Sequence, residues 1–150
     1  MISSEVMLAF IFPSHDVSDM NPKLAQWEAK LDSVLHEVDI KLEAKYGKNW
    51  PLHPARPQTG TAANPQYDGL FRLTASFSAG YGSRLGAGYV LRVELVTLNL
   101  IPDDEREAIE ETAVRMVRTG LKKAFPNRYL AIERDGPVYK IYGDLDLDKS

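Results

Sequence analysis

The chain has 150 residues, 44% hydrophobic and 26% charged, with a net charge of −3. This is ordinary globular composition for a single domain over residues 1–150, and the acidic balance argues against a general nucleic-acid binder. There is no cysteine, which excludes disulfides, zinc–thiolate and iron–sulfur sites and a thiol nucleophile, and fits a cytoplasmic protein.

The N-terminal stretch 1–20 is an apolar segment followed by a polar connector. Its apolar run, Val6 to Phe12, has no basic stretch before it and no small-residue cleavage site after it, which argues against a secretory signal. The run is far shorter than the ~20 residues that cross a bilayer, so no membrane contact is expected. It reads either as a short helix capped by Ser3 or Ser4 and ended by Pro13, or as a buried strand. Its apolar surface needs a cover, from the chain's own core or from a second subunit.

The clearest helix follows. Asn21 is an N-cap residue and Pro22 suits the first helical position. Leu24, Trp27, Leu31, Val34, Leu35, Val38, Leu42 and Tyr46 recur at steps of three and four, a continuous buried stripe. Gly47 is the expected stop. Residues 48–69 hold Pro51, Pro54, Pro57 and Pro65 and read as a long ordered loop, pinned by Trp50, Leu52 and Tyr67.

Two strands come next. Phe71, Leu73, Ala75 and Phe77 alternate with Arg72, Thr74, Ser76 and Ser78; Tyr89, Leu91, Val93 and Leu95 alternate with polar or smaller residues. That is period-two patterning with one buried and one wet face, joined as an antiparallel hairpin, with Arg72 able to meet Glu94 on the wet face. A second helix starts near Pro102. Its acids, Asp103 to Glu111, precede its bases, Arg115 to Lys123, an order that complements the helix dipole. Gly120 lies within its apolar stripe, at a cost of about 1 kcal/mol relative to Ala unless close packing requires it. Two more strands, Tyr129 to Arg134 and Val138 to Tyr142, flank an Asp135-Gly136 turn; Pro137 suggests an edge or a modified hairpin. Residues 144–150 form an acidic tail. The order α-β-β-α-β-β predicts an α+β two-layer sandwich: a four-stranded, mainly antiparallel sheet with two amphipathic helices on one face.

No stretch carries a catalytic signature. The loop Gly80-Tyr81-Gly82-Ser83-Arg84-Leu85-Gly86-Ala87-Gly88 offers backbone N–H groups, a hydroxyl and a guanidinium, all suited to an anion. Its spacing is not GxGxxG, and it joins two strands, not a strand and a helix, so the dinucleotide and P-loop readings lose their context. There is no GxSxG and no metal-binding spacing among His15, His36 and His53. No catalytic residue, metal or cofactor is therefore assigned. The candidate ligand- or partner-contacting residues are Arg56, Tyr67 and Asp68 by the proline loop, and Gly82, Ser83, Arg84 and Gly86 in the glycine loop. Arg56, Arg84 and Arg134, the last just before the Asp-Gly turn, are the cations on loops or turns, and convergence of any two would make an anion site. The leading expectation is a cytoplasmic binding or assembly module without catalytic activity, homo-oligomeric through residues 1–12 or a sheet edge. The alternative is a small enzyme or sensor for an anionic or phosphorylated metabolite at Gly80–Gly88.

Overall fold

A computed structural model describes residues 21–147; the apolar segment 1–12, most of the connector behind it and the end of the acidic tail lie outside the described residues. Helix α1 spans Pro22–Tyr46 and α2 spans Asp103–Ala124. The strands are β1 (Phe71–Ser78), β2 (Gly88–Leu95), β3 (Leu130–Asp135) and β4 (Val138–Gly143). They form one antiparallel sheet in the order β1-β2-β4-β3. The α+β architecture expected from the pattern is the one observed, with both helices on the same face.

Each element forms for a local reason. The Asn21 side chain accepts from Lys23 N at 2.9 Å and caps α1, with Pro22 in the first turn. The buried stripe of α1 is Trp27, Leu31, Val34, Leu35, Val38 and Leu42, and it includes Asp39. Gly47 ends the helix in a right-handed conformation, φ −60°, not the left-handed one that usually makes glycine a stop. Glycine is needed there for space: a Cβ would lie 2.4 Å from the Glu43 carboxylate, which is held by Phe71 N and Thr59 Oγ1. Helix α2 begins at Pro102 without a side-chain cap and carries Asp103, Asp104 and Glu105 in its first turn.

The two helices touch at Gly120, where a Cβ would fall 2.7 Å from Val34 Cγ1. Close packing is thus the reason for glycine inside the α2 stripe. Trp27 anchors the far end of the helix layer, its ring 4.4 Å from Phe125 and 5.9 Å from Tyr89 between centroids.

In the sheet, Phe71, Leu73, Tyr89, Leu91, Ile132 and Ile141 face the helices and are buried. Arg72 and Glu94 sit opposite each other in register on the other face. The β3–β4 turn is Gly136-Pro137, closed by the Asp135–Val138 pair. With φ +65° at Gly136 and the fixed negative φ of proline, this is the sign pattern of a type II′ hairpin turn. Pro137 sits inside the turn, so its missing N–H breaks no ladder bond. Trp50 and Leu52 pack against the core, whereas the Tyr67 side chain is 56% exposed. Among the described residues, no helix is long and apolar enough to cross a membrane.

Candidate functional site

The glycine loop lies across the sheet face opposite the helices, and a buried lysine holds it there. Lys140 on β4 is only 2% exposed. Its ammonium donates to Ser83 Oγ at 2.9 Å and to Gly86 O at 2.9 Å, and stands 3.0 Å from Asp135 Oδ2. All three ammonium hydrogens therefore have acceptors. Ser83 donates to Asp135 Oδ2 at 2.8 Å and accepts from Leu85 N at 3.1 Å. The Ser83 hydrogen bond, followed by that from Lys140, holds the Asp135 carboxyl below the usual carboxylate range. Gly80, at φ +81°, is pressed so closely on Gly86 that a Cβ would lie 2.1 Å from its carbonyl. Ser83, Lys140 and Asp135 thus act as a clamp on a folded loop. Arg84 projects beyond the clamp, its side chain 70% exposed and 3.5 Å from Glu133. Gly82 has open space around it.

The other candidates gather at the opposite end of β1. Arg56 donates to Gly69 O (3.0 Å), Asp68 O (3.1 Å) and Phe71 O (2.8 Å). Asp68, 2% exposed, accepts from the backbone N–H of Gly60 (3.0 Å) and Ala62 (2.8 Å). Glu43 accepts from Phe71 N at 2.9 Å and from Thr59 Oγ1 at 2.9 Å. These bonds stitch the proline loop to α1 and to the start of β1. Arg56 and Asp68 are occupied with backbone groups, and Tyr67 stands beside them in a short 3-10 turn, Pro65–Tyr67.

Eight residues of β1 separate this cluster from the glycine loop, about 25 Å of extended chain. Arg56 and Arg84 do not meet, and no shared anion pocket forms between the two loops.

Asp39 escaped the sequence reading. It is 2% exposed, and neither of its carboxylate oxygens has a hydrogen-bond partner. Burial, reinforced by the nearby Glu43 and Asp68 carboxylates, pushes its pKa up to about 8, with Arg56 acting against the rise. The signal was present in the spacing, since position 39 is four after Leu35 and three before Leu42.

A further concavity lies elsewhere, between α2 and β3. It is an open groove of about 650 Å³. One wall is a single flank of α2: Glu107, Glu111, Val114, Arg115 and Arg118. The floor and other wall are Ile132, Glu133 and Arg134 of β3, with Tyr139 of β4. Consecutive β3 residues point to opposite faces of the sheet, so a groove lined by all three opens at the sheet's edge. Among the described strands, β3 is that edge.

Its backbone polarity follows from the hairpin. Asp135 and Val138 close a two-residue turn and bond to each other, so residues 131, 133 and 135 turn their N–H and C=O toward β4. Residues 130, 132 and 134 turn theirs outward. Arg118 confirms the direction by donating to Ile132 O at 3.2 Å. Arg134 is held against Tyr139, 3.1 Å to its hydroxyl and 5.2 Å over its ring, and 3.7 Å from Glu110. Burial raises the Glu110 pKa. Sequence reasoning named Arg134 only as a turn cation and took the α2 bases as dipole-matched surface. What it lacked was knowledge of which strand forms the edge beneath them.

No solved structure matches this chain. A protein of Borreliella burgdorferi (strain ATCC 35210 / DSM 4680 / CIP 102532 / B31), described as "Uncharacterized protein", is 42% identical over 121 residues, which cover 81% of this chain and 94% of that protein. The family whose pattern matches here spans residues 22–143, the stretch from the first residue of α1 to the last of β4. It includes the loop clamp, the buried carboxyl and the edge groove, and the chain belongs to this family, which is described as "Uncharacterised protein".

Proposed function

We propose that this chain is a cytoplasmic, non-catalytic polypeptide-binding module whose site is the groove between α2 and the free edge of β3. One observation carries the reading: a strand edge that no other strand pairs with among the described residues, with a helix flank standing over it, enclosing about 650 Å³. A strand edge beside a helix accepts an extended polypeptide as an added strand. Its backbone hydrogen bonds supply affinity, and the side chains lining the groove select the sequence. Half-buried Tyr139 supplies apolar contact, over the buried Val114 and Ile132 at the base of the groove, and Arg115, Arg118 and Arg134 stand among Glu107, Glu111 and Glu133. The charges balance, which suits a polypeptide carrying both signs better than a nucleic acid or a phosphorylated metabolite. The cytoplasmic assignment rests on the cysteine-free sequence.

The rival reading, an anionic metabolite at Gly80–Gly88, has less support. Ser83 and the Gly86 carbonyl are engaged by Lys140, and Arg56 binds backbone carbonyls at the other end of β1.

Selection of a displayed library of random peptides on the immobilised protein tests the proposal. Arg134→Pro removes an outward N–H that takes no part in the β3–β4 ladder, while Arg134→Ala keeps it. Enriched peptides should bind the wild type and Arg134→Ala and lose at least tenfold in affinity for Arg134→Pro. Failure to enrich, or equal binding to all three proteins, overturns the reading.

A further inference from the structure

We infer that the strand added to the β3 edge comes from a second copy of this chain, which pairs its own β3 antiparallel to the first about a two-fold axis through Ile132 and Val114. The inference rests on the strand-addition reading above and names its partner.

Charge order on α2 is the first argument. Glu107, Glu111, Val114 and Arg118 recur at intervals of four, three and four along one helix flank, with Arg115 beside Val114. The flank runs from acid to base. An isologous contact requires a patch complementary to itself after a half-turn. The pairs Glu107–Arg118 and Glu111–Arg115 have midpoints at positions 112 to 113, next to Val114. A half-turn about that point sets Glu111 against Arg115 of the second copy, and Glu107 against Arg118 of the second copy, four opposite-charge contacts in all. Among the described residues, Glu107 and Glu111 form no ion pair within the chain. Arg115 donates to Thr112 Oγ1 at 3.2 Å, so the acids are left for a partner.

The strand register agrees. Ile132 lines the groove beneath Val114, and its N–H and C=O point outward. Antiparallel pairing centred on Ile132 matches outward groups with outward groups and keeps Leu130, Ile132 and Arg134 of both copies on the helix side. A pairing centred one residue later would place Glu133 against its own copy, like charge against like. The Ile132 carbonyl then accepts from the second copy, and Arg118 turns from it to Glu107 across the axis.

Spacing is the third argument. Among the described residues, two helices cover four strands. At ~4.8 Å per strand, a helix centred over each strand pair sits about 10 Å from the next. Continuing the sheet across β3 therefore sets the two α2 helices about 10 Å apart, within normal helix packing distance. The product is an eight-stranded sheet with four helices on one face.

Light scattering of the full chain, up to on the order of 100 µM, should give a dimer. Glu111→Arg and Arg115→Glu, both at exposed positions, should each raise the dissociation constant at least tenfold. An equimolar mixture of the two variants should recover a dimer, because each reversed residue then meets its opposite. As a check that needs no variant, the Ile132 and Arg134 amides should gain exchange protection as wild-type concentration rises. A wild-type monomer throughout, a dimer that survives both reversals, or amide exchange independent of concentration overturns the inference. None of these results touches peptide capture as read by Arg134→Pro, so the two proposals fail separately.

Discussion

A carboxyl group on the buried stripe of a helix, with neither oxygen bonded, stays neutral over much of the physiological pH range. Asp39 is in that position, with its pKa pushed up to about 8. In the unfolded chain it ionises at its ordinary value near 3.8. Between these values the native state holds a proton that the unfolded state has lost, so the linkage slope is negative. The Asp39 contribution to stability is therefore fully present below about pH 4, declines as pH rises, and is lost beyond about pH 8. One proton corresponds to a slope of about 1.4 kcal/mol per pH unit. Asp39→Asn removes the ionisation at nearly constant volume. Urea unfolding across that window should show a flatter stability profile in the variant than in the wild type; parallel profiles would mean that Asp39 is already ionised when folded.

At the scale of elements, the α1–α2 contact is set by one missing side chain. Gly120→Ala gains helix propensity, about 1 kcal/mol, but drives a Cβ to 2.7 Å from Val34 Cγ1. Overpacking of this kind costs roughly 1–3 kcal/mol, so the expected net result is a loss of about 1 kcal/mol. Val34→Ala opens space at the same point. The double variant should be more stable than the sum of the two single changes implies, a coupling that thermal or urea unfolding of all four proteins would read. Additive changes would show that the helices separate to admit the methyl group. Both helices and both hairpins were legible from periodicity because burial of one face is a property of consecutive residues. Gly120 was legible only as an anomaly, since its reason lies on the other helix.

Across the whole molecule, Lys140 joins regions far apart in sequence. It ties the β1–β2 loop to the β3–β4 hairpin through Ser83, Gly86 and Asp135. Lys140→Met keeps the length and apolar stem of the side chain and removes its three donors. The loop should open locally. Amide exchange at Ser83 and Gly86, whose N–H groups bond to Gly80 O and Ser83 O, should speed up roughly tenfold or more while the helices keep their protection. Unchanged exchange in the loop would mean that the glycine turns hold without the lysine. The sequence showed a glycine-hinged loop with one serine and one arginine and no hint of what lay beneath, because a lysine in the middle of a strand reads as a solvated residue until its cover is known.

The sequence by itself determined the elements and the class of fold. Asn21-Pro22 starts α1, the stripes of three and four set the buried helix faces, period-two alternation sets the strands, and Asp135-Gly136 marks the second hairpin, whose turn the structure sets one residue later at Gly136-Pro137. These are local consequences of backbone geometry and burial, readable along the chain. Only the tertiary structure decided that β2 pairs with β4, which leaves β1 and β3 as the edges of the described sheet. That choice closes the loop over Lys140 and stands the charged flank of α2 above an open edge. The physical reason is the same in each case: pairing between hairpins brings together residues from distant positions, and no local period records which of them will meet.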